Sequence, residues 1–97
     1  MHKSILFRTD PEIIAEVGER LRALRRGRKL SREAVAAQAG LNKSTVARAE
    51  SGQNPTLLTI VRLLRVYGVL RAFESFIPEP PLSPLAEAEA RRRGSDG

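Results

Sequence analysis

The chain has 97 residues, a formal net charge of +6 and no cysteine. This length predicts one domain with short tails, and the lack of cysteine excludes disulfides, thiolate catalysis and sulfur-ligated zinc. The apolar runs are far shorter than the roughly 18 residues of a membrane span, and the N-terminal one is too short for a signal peptide, which predicts a cytoplasmic protein without membrane contact.

The chain begins with a predicted arm, residues 1–9, in which the stretch SILFRT favours a short strand. The first helix is predicted to begin at Asp10 as its N-cap, with Pro11 and Glu12 in the first turn. Apolar residues then recur at helical spacing. Gly27 and the basic pair after it are predicted to end this helix.

Two short helices follow, and both begin in the same way. A hydrophobic residue stands directly before a polar N-cap, Leu30 before Ser31 and Leu41 before Asn42, which is typical of a hydrophobic staple. Gly40 lies between the two helices and suits the left-handed backbone conformation just past a helix end. Two helices joined by a tight glycine turn form a helix-turn-helix unit.

Two further helices and a tail complete the predicted organisation. The fourth helix is predicted over residues 56–67 and the fifth over residues 69–76. Prolines then exclude a continuing helix, so residues 78–97 are predicted to be a Pro- and Arg-rich tail, in which Ser83-Pro84 opens a short, marginal helix. The predicted fold class is all-α, with a compact five-helix domain over residues 10–77.

The third predicted helix contributes little to a core. Wound from Asn42 as its N-cap, it places Val46, Ala49 and Glu50 on one side. The other side carries Lys43, Ser44, Ala47, Arg48 and Ser51. The major groove of B-DNA is wide enough for a helix, and Lys and Arg favour the N7 and O6 acceptors of guanine. We therefore interpret this helix as presented to DNA, with its polar side chains at base edges and Thr45 at a thymine methyl or a phosphate.

The preceding helix has the features of a phosphate-binding site. Its N-terminal amides, with Ser31 and Arg32, suit an anion, and Arg28 and Lys29 stand just ahead of them. Phosphate contacts set the register of a protein on DNA, and base contacts set its sequence preference. The second helix is therefore predicted to bind phosphates, and the third is predicted to read bases.

The charged residues of this segment support the interpretation. Residues 20–48 contain nine basic residues and one acid, Glu33. Such clustering indicates a polyanionic partner, although charge alone fits a solvated cationic face equally well. Glu50 falls on the inner side of the third helix, where a carboxylate is costly without a partner. Arg25 is the predicted partner, and an exposed glutamate near the helix end is the alternative.

An ordered set of residues runs through this part of the chain: Leu24-Arg25, Leu30-Ser31, Val35-Ala36, Ala39-Gly40-Leu41, Ser44-Thr45-Val46, Arg48, Glu50, Gly52 and Asn54-Pro55. The set resembles the phage-repressor, or Xre-type, helix-turn-helix family over about residues 20–69. Ala49 and Tyr67 depart from the family pattern, because a larger apolar residue and a leucine are usual there. These departures concern local packing.

The resemblance implies a lambda-repressor-like fold, with residues 31–39 as the positioning helix and residues 42–51 as the recognition helix. It places base reading at Lys43, Ser44 and Arg48, with the short Ala47 also facing the groove. It places phosphate contacts at Arg32, Thr45, Ser51, Gln53 and Asn54. It also implies an ion pair between Arg25 and Glu50.

Family members usually bind palindromic operators as twofold dimers. Phe73, Phe76 and Ile77 are the predicted dimer contacts, and two alternatives stay open: these residues cap the monomer's own core, or the N-terminal arm contributes instead. The tail is similar to those of HipB-like antitoxins, which are encoded beside kinase-type toxins. Its leucines either order on a protein partner or belong to a solvated extension.

The sequence therefore predicts a transcriptional repressor that binds a double-stranded DNA operator sequence-specifically as a homodimer. The alternative is an antitoxin that binds a toxin protein through its tail and autoregulates its operon. An enzyme is not predicted, because the acids lack paired spacing and the single histidine, His2, lies in the arm. No cofactor and no metal ion are predicted.

Overall fold

The computed structural model describes residues 4–81, 85 and 88–92. Its elements are a 3₁₀ turn at Ile5–Phe7, then α1 (Asp10–Gly27), α2 (Arg32–Ala39), α3 (Lys43–Glu50), α4 (Leu57–Val66) and a second 3₁₀ helix at Leu70–Glu74. The described residues contain no strand. The all-α prediction is confirmed.

The N-terminal arm does not form the strand that its apolar residues suggested. Ser4 instead caps a single 3₁₀ turn, because its carbonyl accepts from the Phe7 amide at 2.9 Å and its hydroxyl accepts from the Leu6 amide at 3.4 Å. A strand needs a neighbour to pair its backbone groups, and the described residues provide no strand for that purpose. Arg8 fixes the end of this turn to α1 through an ion pair with Glu16.

Helix α1 begins one residue earlier than predicted, because Thr9 and not Asp10 is its N-cap. The Thr9 hydroxyl accepts from the Glu12 amide at 3.3 Å, and the Glu12 carboxylate accepts from the Thr9 amide at 3.3 Å. This reciprocal pair satisfies two amides that would otherwise lack a partner at the helix end. Asp10 lies in the first turn, where a negative charge interacts favourably with the helix dipole.

Gly18 allows α1 to approach α3 closely. A Cβ atom on this glycine would lie 2.6 Å from the Glu50 carbonyl oxygen and 2.7 Å from that of Ala49. Only a residue without a side chain fits there. The glycine that interrupts the apolar pattern of α1 therefore determines how near the C-terminal end of α3 packs against α1.

The two short helices are joined as the sequence predicts. Ser31 accepts from the Ala34 amide at 3.0 Å and so caps α2, and Gly40 ends it in the left-handed conformation with φ of 67°. The side chain of Asn42, which occupies the N-cap position of α3, makes no capping hydrogen bond. The hydrophobic residues before the caps, Leu30 and Leu41, pack against the core.

The core is small and almost entirely aliphatic. Its buried members come from all four α-helices and from the residue after α4: Leu21, Val35, Ala36, Val46, Ala49, Leu63 and Tyr67. Tyr67 is fully buried, and its hydroxyl has no hydrogen-bond partner among the described residues. Burial raises the pKa of this hydroxyl to about 12, because the phenolate would lack solvation.

The fifth helix is shorter than predicted and is a 3₁₀ helix at Leu70–Glu74. Few residues are available between Gly68 and Pro78, and so short a segment forms 3₁₀ turns more readily than an α-helix. In the tail, Leu85 and residues 88–92 are helical, whereas the predicted start at Ser83-Pro84 lies outside the described residues. Within the described residues, no helix is long and apolar enough to cross a membrane.

Candidate nucleic-acid interface

Helix α3 has one buried side and one exposed side. Val46 and Ala49 are buried against the core, and α3 contacts both α1 and α2. We call the opposite side the α3 face; it consists of Lys43, Ser44, Ala47 and Arg48, of which Ala47 is half-buried and the other three are exposed. Thr45 borders this face and is also half-buried. The four residues predicted to read bases therefore lie together on one helix surface.

One buried carboxylate joins α1, α2 and α3. The Glu50 side chain is only 2% exposed. Arg25 donates to its two oxygens from Nε at 2.7 Å and from Nη2 at 3.1 Å, and Arg32 donates from Nε at 3.0 Å. Arg25 also donates to the Leu30 carbonyl at 3.0 Å. This network pins the C-terminal end of α3 to the two helices beneath it.

Two opposing effects determine the pKa of Glu50, and the effect of the arginines is the larger. Burial raises the pKa because it removes water from the carboxylate, while hydrogen bonds from Arg25 and Arg32 lower it. The net result is a pKa below the usual value of 4.5. The carboxylate therefore stays charged at neutral pH, and both arginines remain fixed by it.

Arg32, predicted as a phosphate contact, is held at the N-terminal end of α2 by this network. Its side chain is 38% exposed even though Nε is bonded to Glu50. Because only Nε is used there, the two terminal nitrogens of the guanidinium are left to bind an anion. Ser31, the N-cap, stands directly before it. The sequence did not indicate the bond to Glu50, which joins residues 18 positions apart.

Lys43 forms a second ion pair that the sequence did not indicate. Its Nζ atom lies 2.9 Å from Oε1 of Glu33, in the first turn of α2, and both side chains are largely exposed, at 60% and 73%. The hydrogen bond from Lys43 lowers the pKa of the Glu33 carboxyl, and the lysine's charge adds to the effect. The pair links the beginnings of α2 and α3.

Arg48 and the loop after α3 surround a polar cavity of about 300 Å³. Thr45, Gln53 and Asn54, which were predicted to bind phosphates, line this cavity. Thr56 and Thr59 of the α4 N-terminus also line it, and the sequence analysis missed both. Their hydroxyls lie 3.0 Å apart, a contact typical of the first turn of a capped helix.

Side-chain hydrogen bonds join the loop to the end of α3 and order the loop itself. The Ser51 hydroxyl donates to the Arg48 carbonyl at 3.1 Å, and the Gln53 amide donates to the Ser51 hydroxyl at 3.2 Å. Three of the predicted phosphate contacts, Ser51, Gln53 and Asn54, thus lie beside the α3 face.

Arg28 lies elsewhere. It follows the last residue of α1, and a Cβ atom on Gly68 would lie 3.0 Å from its Nη2 atom. The groove that Arg28 lines is formed by α1, Tyr67 and Val69 and contains no residue of α3. Lys29, beside it, is exposed and has a positive φ of 56°. The structure therefore does not bring Arg28 together with the α3 face.

The predicted dimer contacts border a hydrophobic depression. We call it the apolar groove; it has a volume of about 380 Å³, and its lining includes Val17, Leu24, Ile60, Leu64, Phe73 and Phe76. The rings of Phe73 and Phe76 meet edge to face with centroids 5.0 Å apart. Phe76 is 58% exposed and Ile77 is 71% exposed, while Phe73 is half-buried.

The described side chains contain no group of three or more His, Cys, Asp or Glu residues able to hold a metal ion. The chemistry that the α3 face offers is hydrogen-bond donation by cations and a hydroxyl. Such donors match the base edges and phosphates of a duplex.

Comparison with known proteins agrees with this geometry. Residues 16–73 match the helix-turn-helix domain family. Among solved structures, the crystal structure of the restriction-modification controller protein C.AhdI from Aeromonas hydrophila is similar, with a TM-score of 0.57 and 36% sequence identity over 60% of this chain and 89% of that one. A search of curated proteins gave no match. The chain belongs to the helix-turn-helix family of DNA-binding regulators, of the phage-repressor (Xre) type.

Proposed function

We propose that the protein is a sequence-specific transcriptional repressor that binds a double-stranded DNA operator as a homodimer. The observation that carries this proposal is the α3 face: Lys43, Ser44 and Arg48 point outward from a helix whose other side is buried. The similar protein C.AhdI is described as a restriction-modification controller, which is compatible with a regulatory task.

Base reading is assigned to α3 in the major groove. Arg48 and Lys43 are long donors that suit the N7 and O6 acceptors of guanine, and the Ser44 hydroxyl both donates and accepts. Ala47 is short and suits contact with a thymine methyl. The Glu50 network supports these roles because it fixes the helix that carries them.

Phosphate binding is assigned to residues around the α3 face and to Arg28, which lies apart from that face. Arg32, beside the α2 N-terminus, presents its terminal guanidinium nitrogens, and charge-assisted bonds to phosphate are the strong ones. The other assigned residues are Arg28, Lys29, Ser31, Thr45, Ser51, Gln53 and Asn54. Arg28 is the weakest member of this set in geometric terms, because it lines a groove that contains no residue of α3.

Dimerisation is assigned to Phe73, Phe76 and Ile77 at the apolar groove. Exposed aromatic and aliphatic side chains beside a hydrophobic depression are typical of a protein interface. Binding of two half-sites one turn of DNA apart requires a twofold dimer whose two copies of α3 lie about 34 Å apart. A repressor of this kind acts by occupying a promoter.

The experiment is selection of duplexes from a randomised pool by the full chain, followed by titration of the selected duplex and of a scrambled duplex of equal length. Arg48→Ala is expected to weaken binding to the selected duplex by about 1–3 kcal/mol and to relax the preference at one base pair. Arg65→Ala, which removes another exposed arginine from the last turn of α4, is the matched control. Equal affinity of the wild type for selected and scrambled duplexes contradicts the proposal.

A second function, capture of a toxin protein, is favoured by one observation. Residues 78–81, 85 and 88–92 of the tail are all exposed, and exposed side chains on a Pro-rich segment can order on a partner. Deletion of residues 78–97 is expected to abolish capture of a protein encoded beside this chain and to leave DNA affinity unchanged. Undiminished capture by the truncated chain contradicts this function.

A further inference from the structure

The Glu33–Lys43 ion pair is unusual in its position. Residues 20–48 contain nine basic residues, and Glu33 is their single acid. Its carboxylate lies 2.9 Å from Nζ of Lys43, a member of the α3 face. Arg48, the other cation on that face, has no ion-pair partner among the described residues, so the two long donors are held differently.

The ion pair restricts the direction of the Lys43 side chain but leaves some of its hydrogen-bond donors available. An ammonium group has three donors, and Glu33 accepts one of them. The remaining two are available to a base acceptor at the beginning of α3. The carboxylate thus tethers the end of a side chain that has four rotatable bonds and would otherwise reach in many directions.

The same tether keeps Lys43 from phosphates. Sequence-independent affinity for DNA arises from cations that neutralise phosphates, and Glu33 already pairs with this cation on the protein surface. Glu33 also stands next to Arg32 at the start of α2, where phosphate binding is proposed. An acid there repels the backbone of every duplex equally, so repulsion alone does not change the preference between duplexes.

We infer that Glu33 is a specificity-determining residue. It holds Lys43 toward the base edges in the major groove of DNA and keeps it from binding the phosphate backbone. The inference rests on the proposed function, since it assigns a role within DNA recognition. The physical principle is that selectivity is a difference of two affinities and increases when the competing one is lowered. Glu33 lowers the affinity for non-operator DNA.

The first test is titration of selected and scrambled duplexes by Glu33→Gln. The variant is expected to bind the scrambled duplex more tightly, so that the ratio of the two affinities falls about two- to fivefold, the range of an exposed ion pair. The slope of log affinity against log salt on the scrambled duplex should steepen by about 0.9, because Lys43 then neutralises one more phosphate. Glu19→Gln, which removes an exposed acid from α1, is the control for net charge.

The second test repeats the substitution in a Lys43→Ala background. Without the lysine, Glu33→Gln should change both affinities equally, and the ratio should stay constant. A ratio that is unchanged by Glu33→Gln in the wild-type background overturns the inference, because only general repulsion is then at work. A fall in the ratio that persists without Lys43 also overturns it, since Glu33 would then read a base itself, for example the N4 amino group of cytosine.

A measurement without DNA separates this inference from the proposed function. The Glu33 carboxyl is titrated by NMR in the wild type and in Lys43→Ala. Its pKa is expected to lie below the usual 4.5 in the wild type and to return toward that value in the variant. Identical pKa values in the two proteins overturn the inference, whereas a wild type that prefers no duplex overturns the proposed function.

Discussion

The α3 face and the apolar groove differ in what holds the structure together beneath them. Under the α3 face, small residues allow close approach and a buried carboxylate joins three helices, with Arg25 and Arg32 bonded to Glu50. Aliphatic side chains of α1 and α4 line the apolar groove, and Phe76 is left exposed. Hydrogen bonds between charged groups depend on direction, whereas hydrophobic burial does not.

This difference suggests a division of physical tasks. A helix that reads DNA has to be held at a defined angle, and directional bonds with a glycine contact achieve that. A surface that takes up a second protein copy needs apolar area more than angle. Four measurements can test this division of tasks.

Arg25→Ala is expected to have the largest effect. Its removal leaves the buried Glu50 carboxylate with Arg32 alone, and breaking a buried ion pair costs about 3–5 kcal/mol. Because Arg32 compensates in part, we expect a loss of about 3 kcal/mol in the free energy of unfolding, measured by urea denaturation. Arg26→Ala, which removes an exposed neighbour on the same helix, is the control and should change stability by under about 0.5 kcal/mol. Similar losses for both variants would contradict the directional network.

Gly18→Ala tests the close approach of α1 and α3. The added methyl group would lie 2.6 Å from the Glu50 carbonyl oxygen, and such overpacking costs about 1–3 kcal/mol. The gain in helix propensity, about 1 kcal/mol, opposes it, so we expect a net loss of about 1–2 kcal/mol. Gly27→Ala is the matched control, because its methyl group would meet nothing within 4 Å. Stabilisation by Gly18→Ala would show that the two helices have room to separate.

The pH dependence of stability reports on the same carboxylate. The pKa of Glu50 is lowered in the folded state, so the folded protein binds the proton less readily than the unfolded chain does. The stabilisation is therefore present above the usual value of 4.5 and is lost as the pH falls through the lower folded value. The loss in the free energy of unfolding on acidification should be smaller than that caused by Arg25→Ala. Protonation removes the charge of Glu50 but no side-chain atoms, so the packing is kept.

Comparison of denaturation curves between pH 7 and pH 2 in the wild type and in Glu50→Gln measures this contribution. The variant should lack the part of the acid destabilisation that belongs to this residue. Parallel pH profiles in the two proteins would mean that folding does not lower the pKa of the Glu50 carboxyl.

Tyr67→Phe is expected to have the smallest effect and to act in the buried core. The Tyr67 hydroxyl is buried without a partner among the described residues, and an unsatisfied buried group is costly. Its removal should leave stability unchanged or raise it by up to about 1 kcal/mol, read from the thermal midpoint. A loss above about 1 kcal/mol would show that the hydroxyl is hydrogen-bonded in solution, for example to water.

Local sequence signals predicted much of this fold. Ser31 and Gly40 specify a cap and a left-handed turn through their own chemistry, so α2 and the turn after it were predicted correctly. The alternation of buried and exposed residues in α3 followed from helical spacing alone. Errors arose where short segments had several conformations open to them, as in the arm and at the fifth helix.

Contacts between residues distant in sequence were harder to predict. The pairing of Arg25 with Glu50 came from family resemblance and from the cost of a buried carboxylate, and the structure contains that ion pair. The bonds of Arg32 to Glu50 and of Lys43 to Glu33 had no local signal, because they depend on the angle between α2 and α3. Gly18 likewise has no local signal for its role, because only the packed structure shows the backbone of α3 beside it. The assignment of base and phosphate contacts stays a prediction.

The two-sided construction of α3 has a consequence for how such a regulator changes its target. Lys43, Ser44 and Arg48 are exposed, so exchanging them for other polar residues should cost the scaffold almost nothing. If α3 reads bases as proposed, new binding preferences are accessible by substitution at these surface positions, without compensating changes in the interior. A change of preference through a different tilt of α3, in contrast, would require new partners for Glu50 in place of its bonds with Arg25 and Arg32.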